Sequence, residues 1–215
     1  MKPALYHYFE LLSLIVSIIC LPRTRRSYFT WFIPFLSITL AAELYANYAF
    51  YIKHLPTVWI YNVLNPVAQA FYTYIFYKFA RSNSHKIFLV ACGIIYVGAY
   101  IFYYTIYDVN DFSTYLIVIG GIQQVVFACL FFYECLRTDA TMDGRMRSGV
   151  WMAAGVLIFY SGVTICLALL DFIEKNNLKI AGVPLYNFIP RVLSIILYSC
   201  FSVSFIIWGK SMTSK

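Results

Sequence analysis

The chain has 215 residues, 62% of them hydrophobic, 20% aromatic and only 12% charged, with a formal net charge of +7. A soluble domain is about 45–50% apolar and about 25% charged, so a soluble fold of this length could not hide so much apolar surface, and lipid is the expected solvent. The positive excess sits in short loops between apolar runs, which reads as a cytoplasmic face and argues against nucleic acid as a partner.

Seven apolar segments, each near the roughly 20 residues needed to cross a bilayer, predict helices over 3–21, 28–50, 57–79, 86–106, 113–135, 149–172 and 185–208. The expected fold is an all-α integral membrane protein, a single seven-transmembrane helix bundle over 1–215 with no appended soluble domain. The longest loop, 136–148, is polar. Lys2 alone precedes the first run, whereas Arg23, Arg25 and Arg26 follow it at once. That order predicts an uncleaved helix rather than a signal peptide.

Loop charge sets the expected orientation. Arg23, Arg25, Arg26, Lys78, Arg81, Lys86, Arg137, Arg145, Arg147, Lys210 and Lys215 fall on one side, against Lys2, Lys53, Lys175 and Lys179 on the other. The richer side is read as cytoplasmic, which places the N-terminus outside and the C-terminus in the cytoplasm.

The polar residues within the helices fall on stripes spaced by three and four, so each set shares one helix face. Helix 1 carries His7, Glu10, Ser13 and Ser17, and helix 2 carries Thr39, Glu43 and Asn47. Asn62, Asn65, Gln69 and Thr73 line helix 3, and helix 4 has tyrosines at 96, 100, 103 and 107. Helix 5 adds Gln123 and Gln124, helix 6 Ser161, Thr164 and Asp171, and helix 7 Asn187, Arg191, Ser194 and Tyr198.

Counting from the expected outer ends, Glu10, Glu43 and Arg191 all lie about 10 Å deep. Asn47, Asn62, Asn65 and Asn187 share their half of the bundle. An arginine in hydrocarbon keeps its charge and needs an anion, so Arg191 is expected to pair with Glu10 or Glu43. The candidate ligand-binding set is Glu10, Glu43, Asn47, Asn62, Asn65, Gln69, Gln124, Asn187 and Arg191, around an unidentified small polar ligand. No catalytic motif stands out and the chain is read as no enzyme. The six cysteines have no metal-ligand spacing, and neither metal nor cofactor is expected.

Tyr61-Asn62 with Pro66 and Tyr186-Asn187 with Pro190 mark corresponding places in helices 3 and 7, and Trp31 and Trp151 open helices 2 and 6. These landmarks suggest a parallel 3+1+3 repeat with helix 4 as linker. The arrangement resembles the SWEET and PQ-loop sugar transporters, where asparagines on helices 3 and 7 would correspond to Asn62 and Asn187. The Pro-Gln dipeptide of that family is absent, as are internal prolines in helices 1, 5 and 6. It also resembles microbial rhodopsins, but helix 7 has no lysine before Lys210 to carry retinal. More closely, Glu43 with Asn47, the run Trp59-Ile60-Tyr61-Asn62 and the stretch from Trp151 to Tyr160 resemble a small bacterial seven-helix family of unassigned function. That resemblance implies a multi-pass protein of the bacterial inner membrane and supplies no activity.

Three functions fit these features. The first is a receptor-like sensor with an outward polar pocket, working with a separate signalling partner. The second is a SWEET-like transporter of small solutes, which would need a comparable polar path inward. The third is an accessory or effector subunit acting through homo-oligomer or partner contacts, for which the helix glycines would allow close approach.

Overall fold

The computed structural model describes residues 4–24, 28–111, 113–137, 144–180 and 182–213. The described chain is helical apart from one small hairpin. Its elements are α1 (Leu5–Thr24), a 3-10 turn (Tyr28–Trp31) that runs into α2 (Phe32–Tyr51), α3 (Val58–Phe79), α4 (Asn83–Ile106) and α5 (Thr114–Arg137). Then come α6 (Gly144–Ala168), the short α7 (Leu170–Lys175), β1 (Lys179–Ile180), β2 (Val183–Pro184) and α8 (Leu185–Thr213). Of the loop charges that set the expected orientation, Lys2, Arg25, Arg26 and Lys215 lie outside the described residues.

Among the described residues, five stretches are long and apolar enough to cross a membrane: Tyr28–Tyr51, Asn83–Ile106, Thr114–Arg137, Met146–Ala168 and Leu185–Ser211. The apolar run of α1, Leu5–Cys20, is shorter, and α3 carries Asn62, Asn65 and Gln69 along its length. These apolar helices fit a membrane protein.

One predicted helix is divided. The expected span 149–172 begins earlier, at Gly144, and bends at Leu169 into α7. The reason is local chemistry: Asp171 and Glu174 end the apolar pattern, and Asp171 suits the positive start of a new helix. Asn177, with φ of 47°, then stops α7 in the left-handed region. Gly182, with φ of 79°, turns the chain between the antiparallel pair β1 and β2.

Six long helices close a ring by packing α1 on α2, α2 on α3, α3 on α5, α5 on α6, α6 on α8, and α8 on α1. α4 lies outside, across α3 and α5, and only 17% of its apolar stretch is buried. Two of the contacts are set by glycines. A Cβ on Gly155 of α6 would meet the Cys200 Cβ of α8 at 2.8 Å, and one on Gly121 of α5 would collide with the Thr164 hydroxyl of α6.

Where α2 begins and α3 and α8 finish, an aromatic core fills the ring. Phe32 lies 5.4 Å from Phe201 and 5.1 Å from Phe205 between ring centroids, Phe35 stacks on Phe71 at 3.9 Å, and Phe79 meets Phe131 edge-on. These rings make that end of the bundle the dense one.

Candidate functional site

Toward the opposite end the helices part around a cavity of about 580 Å³. That is within the roughly 300–1,000 Å³ of small-molecule sites. α3 supplies Tyr61, Asn65, Ala68 and Tyr72, spaced so that all four share one face. α6 supplies Tyr160, Val163, Thr164 and Leu167 by the same periodicity. α8 gives Tyr186, Asn187, Pro190, Ser194 and Tyr198, while α2 gives Phe35, Thr39 and Glu43. Glu174 of α7 stands at the rim. Phe35 and Tyr72 belong both to the wall and to the aromatic core, so the core closes the inner end of the cavity.

The charge of the wall follows from the hydrogen bonds beside Glu43. The Asn47 amide nitrogen donates to the Glu43 backbone carbonyl at 3.0 Å and to His7 Nε2 at 2.8 Å. An amide nitrogen has only donors, so Nε2 is an acceptor. Nδ1 therefore carries the proton and donates to the Ala4 carbonyl at 3.2 Å. His7 is thus the neutral imidazole. Its Nε2 lies 3.8 Å from Glu43 Oε2 but brings no positive charge to it. Glu43 is 18% exposed and has no cationic side chain paired with it among the described residues.

Glu10 is fully buried on α1, and neither carboxylate oxygen has a hydrogen-bond partner among the described residues. The Tyr198 hydroxyl lies beside it, and Tyr72 and Glu43 are within electrostatic reach. Two acids thus lie close together with no cation paired to either among the described residues.

The predicted residues divide into four groups. Glu43, Asn65 and Asn187 line the cavity, and Glu10 lies behind its wall at Tyr72 and Tyr198. Asn47 positions His7. Asn62 is a loop latch: its amide donates to the Val109 carbonyl at 2.6 Å and the Asp111 carbonyl at 2.9 Å. Gln69 and Gln124 pair between α3 and α5, with the Gln124 amide donating to the Gln69 carbonyl oxygen. The Gln69 amide nitrogen and the Gln124 carbonyl oxygen remain unsatisfied among the described residues.

The expected ion pair of Arg191 with Glu10 or Glu43 does not form. Arg191 is exposed on α8 and makes no ion pair among the described residues. A long arginine stem can carry its head toward the end of a helix, so a position about 10 Å deep does not oblige it to find an acid. The asparagines at corresponding places of the suggested repeat also differ in role, because Asn62 is buried in its latch while Asn187 is exposed at the cavity.

Sequence reading missed Tyr61, Tyr72, Tyr160, Tyr186 and Glu174. Extending the Asn65 stripe one turn toward the start of α3 and two turns toward its end would have found Tyr61 and Tyr72. A second acid, Glu134 of α5, is buried at the other end of the bundle and is fully engaged. It accepts the backbone N–H groups of Arg81 at 3.0 Å and Ser82 at 3.2 Å, and His85 Nδ1 lies 2.5 Å from it. This carboxylate ties the start of α4 to α5.

Among the described residues, no group of three or more His, Cys, Asp or Glu side chains is placed to hold a metal ion. Compared with family models, with curated proteins and with solved structures, the chain finds no match in any of the three.

Proposed function

We propose that the chain is a seven-span protein of the bacterial inner membrane, N-terminus outside and C-terminus in the cytoplasm, that binds a small ligand from outside in the cavity between α2, α3, α6 and α8. The observation that carries this reading is the cavity itself: about 580 Å³, walled by tyrosines, amides and Glu43, and closed at its inner end by packed aromatic rings. A pocket with a closed floor suits a receptor-like sensor that passes its state to a separate partner. The exposed outer face of α4, with Ile94, Ile95, Ile101 and Phe102, is available to lipid or to that partner.

A transporter is the second reading, favoured by the ring of contacts. Exchanging α1, α2 and α3 for α5, α6 and α8 maps each packed pair onto another packed pair and leaves α4 outside, as a parallel 3+1+3 repeat would.

Two experiments test the proposal. In a cysteine-free background, a cysteine at Asn110 reacts with impermeant reagents and one at Asn83 only with permeant ones; the reverse pattern refutes the orientation. A thermal-shift screen of amino acids, amines, sugars, nucleosides and organic acids finds a stabiliser, since a ligand at a hundredfold excess over Kd adds about 2.7 kcal/mol. Binding without uptake into liposomes supports the sensor. Saturable uptake supports the transporter, and a screen with no stabiliser refutes the pocket.

A further inference from the structure

The cavity wall is acidic and aromatic in a way that selects its occupant. Glu43 and Glu174 line it, and no lysine, arginine or histidine does so among the described residues. The base nearest Glu43 is a neutral imidazole whose Nε2 already accepts the Asn47 amide. Arg191 lies within electrostatic reach of His7 and Tyr61 but is exposed and makes no ion pair among the described residues. Behind the wall Glu10 adds a second carboxyl, fully buried beside the Tyr198 hydroxyl and with no cationic partner among the described residues. A buried carboxylate without a cation is costly, so such a pair holds a proton or holds a positive charge.

The rest of the wall points to a positive charge with an apolar body. Tyr61, Tyr72, Tyr160 and Tyr198 line the cavity with Phe35 and Phe159, and of these Tyr61 and Tyr198 lie within electrostatic reach of Glu43. Aromatic faces attract organic ammonium groups, and quaternary amines are recognised in this manner elsewhere. Pro190 adds an acceptor, because it has no N–H to give to the Tyr186 carbonyl, and both residues lie on the wall. An anionic ligand would meet the Glu43 and Glu174 carboxyls on this wall, and a neutral one would leave Glu43 without a counter-charge.

We infer that the ligand of this cavity is an organic cation, an amine or quaternary ammonium with an apolar body, whose charged head sits against Glu43 inside the ring of tyrosines. This rests on the ligand-binding reading above and adds the chemical class of the ligand.

The test uses the full chain in detergent and four probes of similar size: 2-phenylethylammonium, benzyltrimethylammonium, 2-phenylethanol and phenylacetate. The two cations bind saturably, the alcohol binds about tenfold more weakly or worse, and phenylacetate does not bind, as loss of one charge-assisted contact implies. Glu43→Gln weakens the cations by about tenfold or more and leaves the alcohol unchanged. If that variant does not fold, the wild-type chain still decides. Modification of Glu43 by dicyclohexylcarbodiimide, read by mass spectrometry, is blocked by either cation and not by the alcohol. Equal or better binding of the alcohol or phenylacetate overturns the cation inference while the cavity stands as a ligand site. Failure of both cations to bind or to protect Glu43 also overturns it, and the broad screen then judges the cavity separately.

Discussion

The Tyr100 hydroxyl of α4 donates at 2.8 Å to the backbone carbonyl of Asn62 on α3, the carbonyl that Pro66, four residues on, leaves without its helical donor. A proline defect within α3 is thus repaired by a side chain from the peripheral helix. In an apolar setting an orphaned carbonyl is costly, which gives α4 a polar reason to dock where it does. Tyr100→Phe lowers stability by about 0.5–2 kcal/mol. In a Pro66→Ala background the same change costs less, because alanine restores the helical N–H. A double-mutant cycle on unfolding in SDS measures the coupling, and equal costs in both backgrounds refute the repair.

Asn62 itself acts on the loop between α4 and α5. Asn62→Ala frees the Val109 and Asp111 carbonyls, costs about 1–3 kcal/mol, and speeds hydrogen exchange over 107–113. Ligand affinity is unchanged, because the Asn62 side chain is absent from the cavity wall, whereas Asn65→Ala alters it. Lost binding with unchanged exchange would contradict the latch.

Glu134 anchors the start of α4 through two backbone N–H groups and His85. Glu134→Ala strands those donors, costs about 1–3 kcal/mol and frays residues 81–86 in hydrogen exchange. His85→Ala is milder, since the backbone donors keep their carboxylate. The opposite ranking of the two variants rules out the anchor.

Gly155 and Gly98 give opposite responses to alanine. At Gly155 the new Cβ meets Cys200 at 2.8 Å, so the α6–α8 contact must spread, at a cost of about 1–3 kcal/mol. At Gly98 nothing lies within 4 Å, and alanine gains about 0.5–1 kcal/mol of helix propensity. Thermal midpoints of the two variants check this pair, and a neutral Gly155→Ala would show that α6 and α8 are not held at that distance by the glycine.

The sequence by itself determined the all-helical build and, to within a few residues, where most helices run. Apolar length and period are local properties that survive whatever the helices pack against. Of the polar stripes it marked, Glu10, Ser13, Asn62, Gln69 and Gln124 are buried, whereas Asp171, Asn187 and Arg191 are exposed. Only the tertiary structure decided what those side chains meet. A stripe says which residues share a face, not which helix stands opposite, so Asn62 and Asn65, nearly one turn apart, end in a loop latch and a cavity wall. Depth along a helix could not place Arg191 either, because a flexible stem of several bonds moves its charge farther than one helical turn. The end of α7 and the hairpin after it escaped for a related reason: they rest on single residues, Asn177 and Gly182, whose backbone angles leave no periodic mark. The cavity is likewise the product of how six helices lean on one another, with close contact through Gly155 on one side and tyrosines parting them on the other, and no single helix encodes that balance.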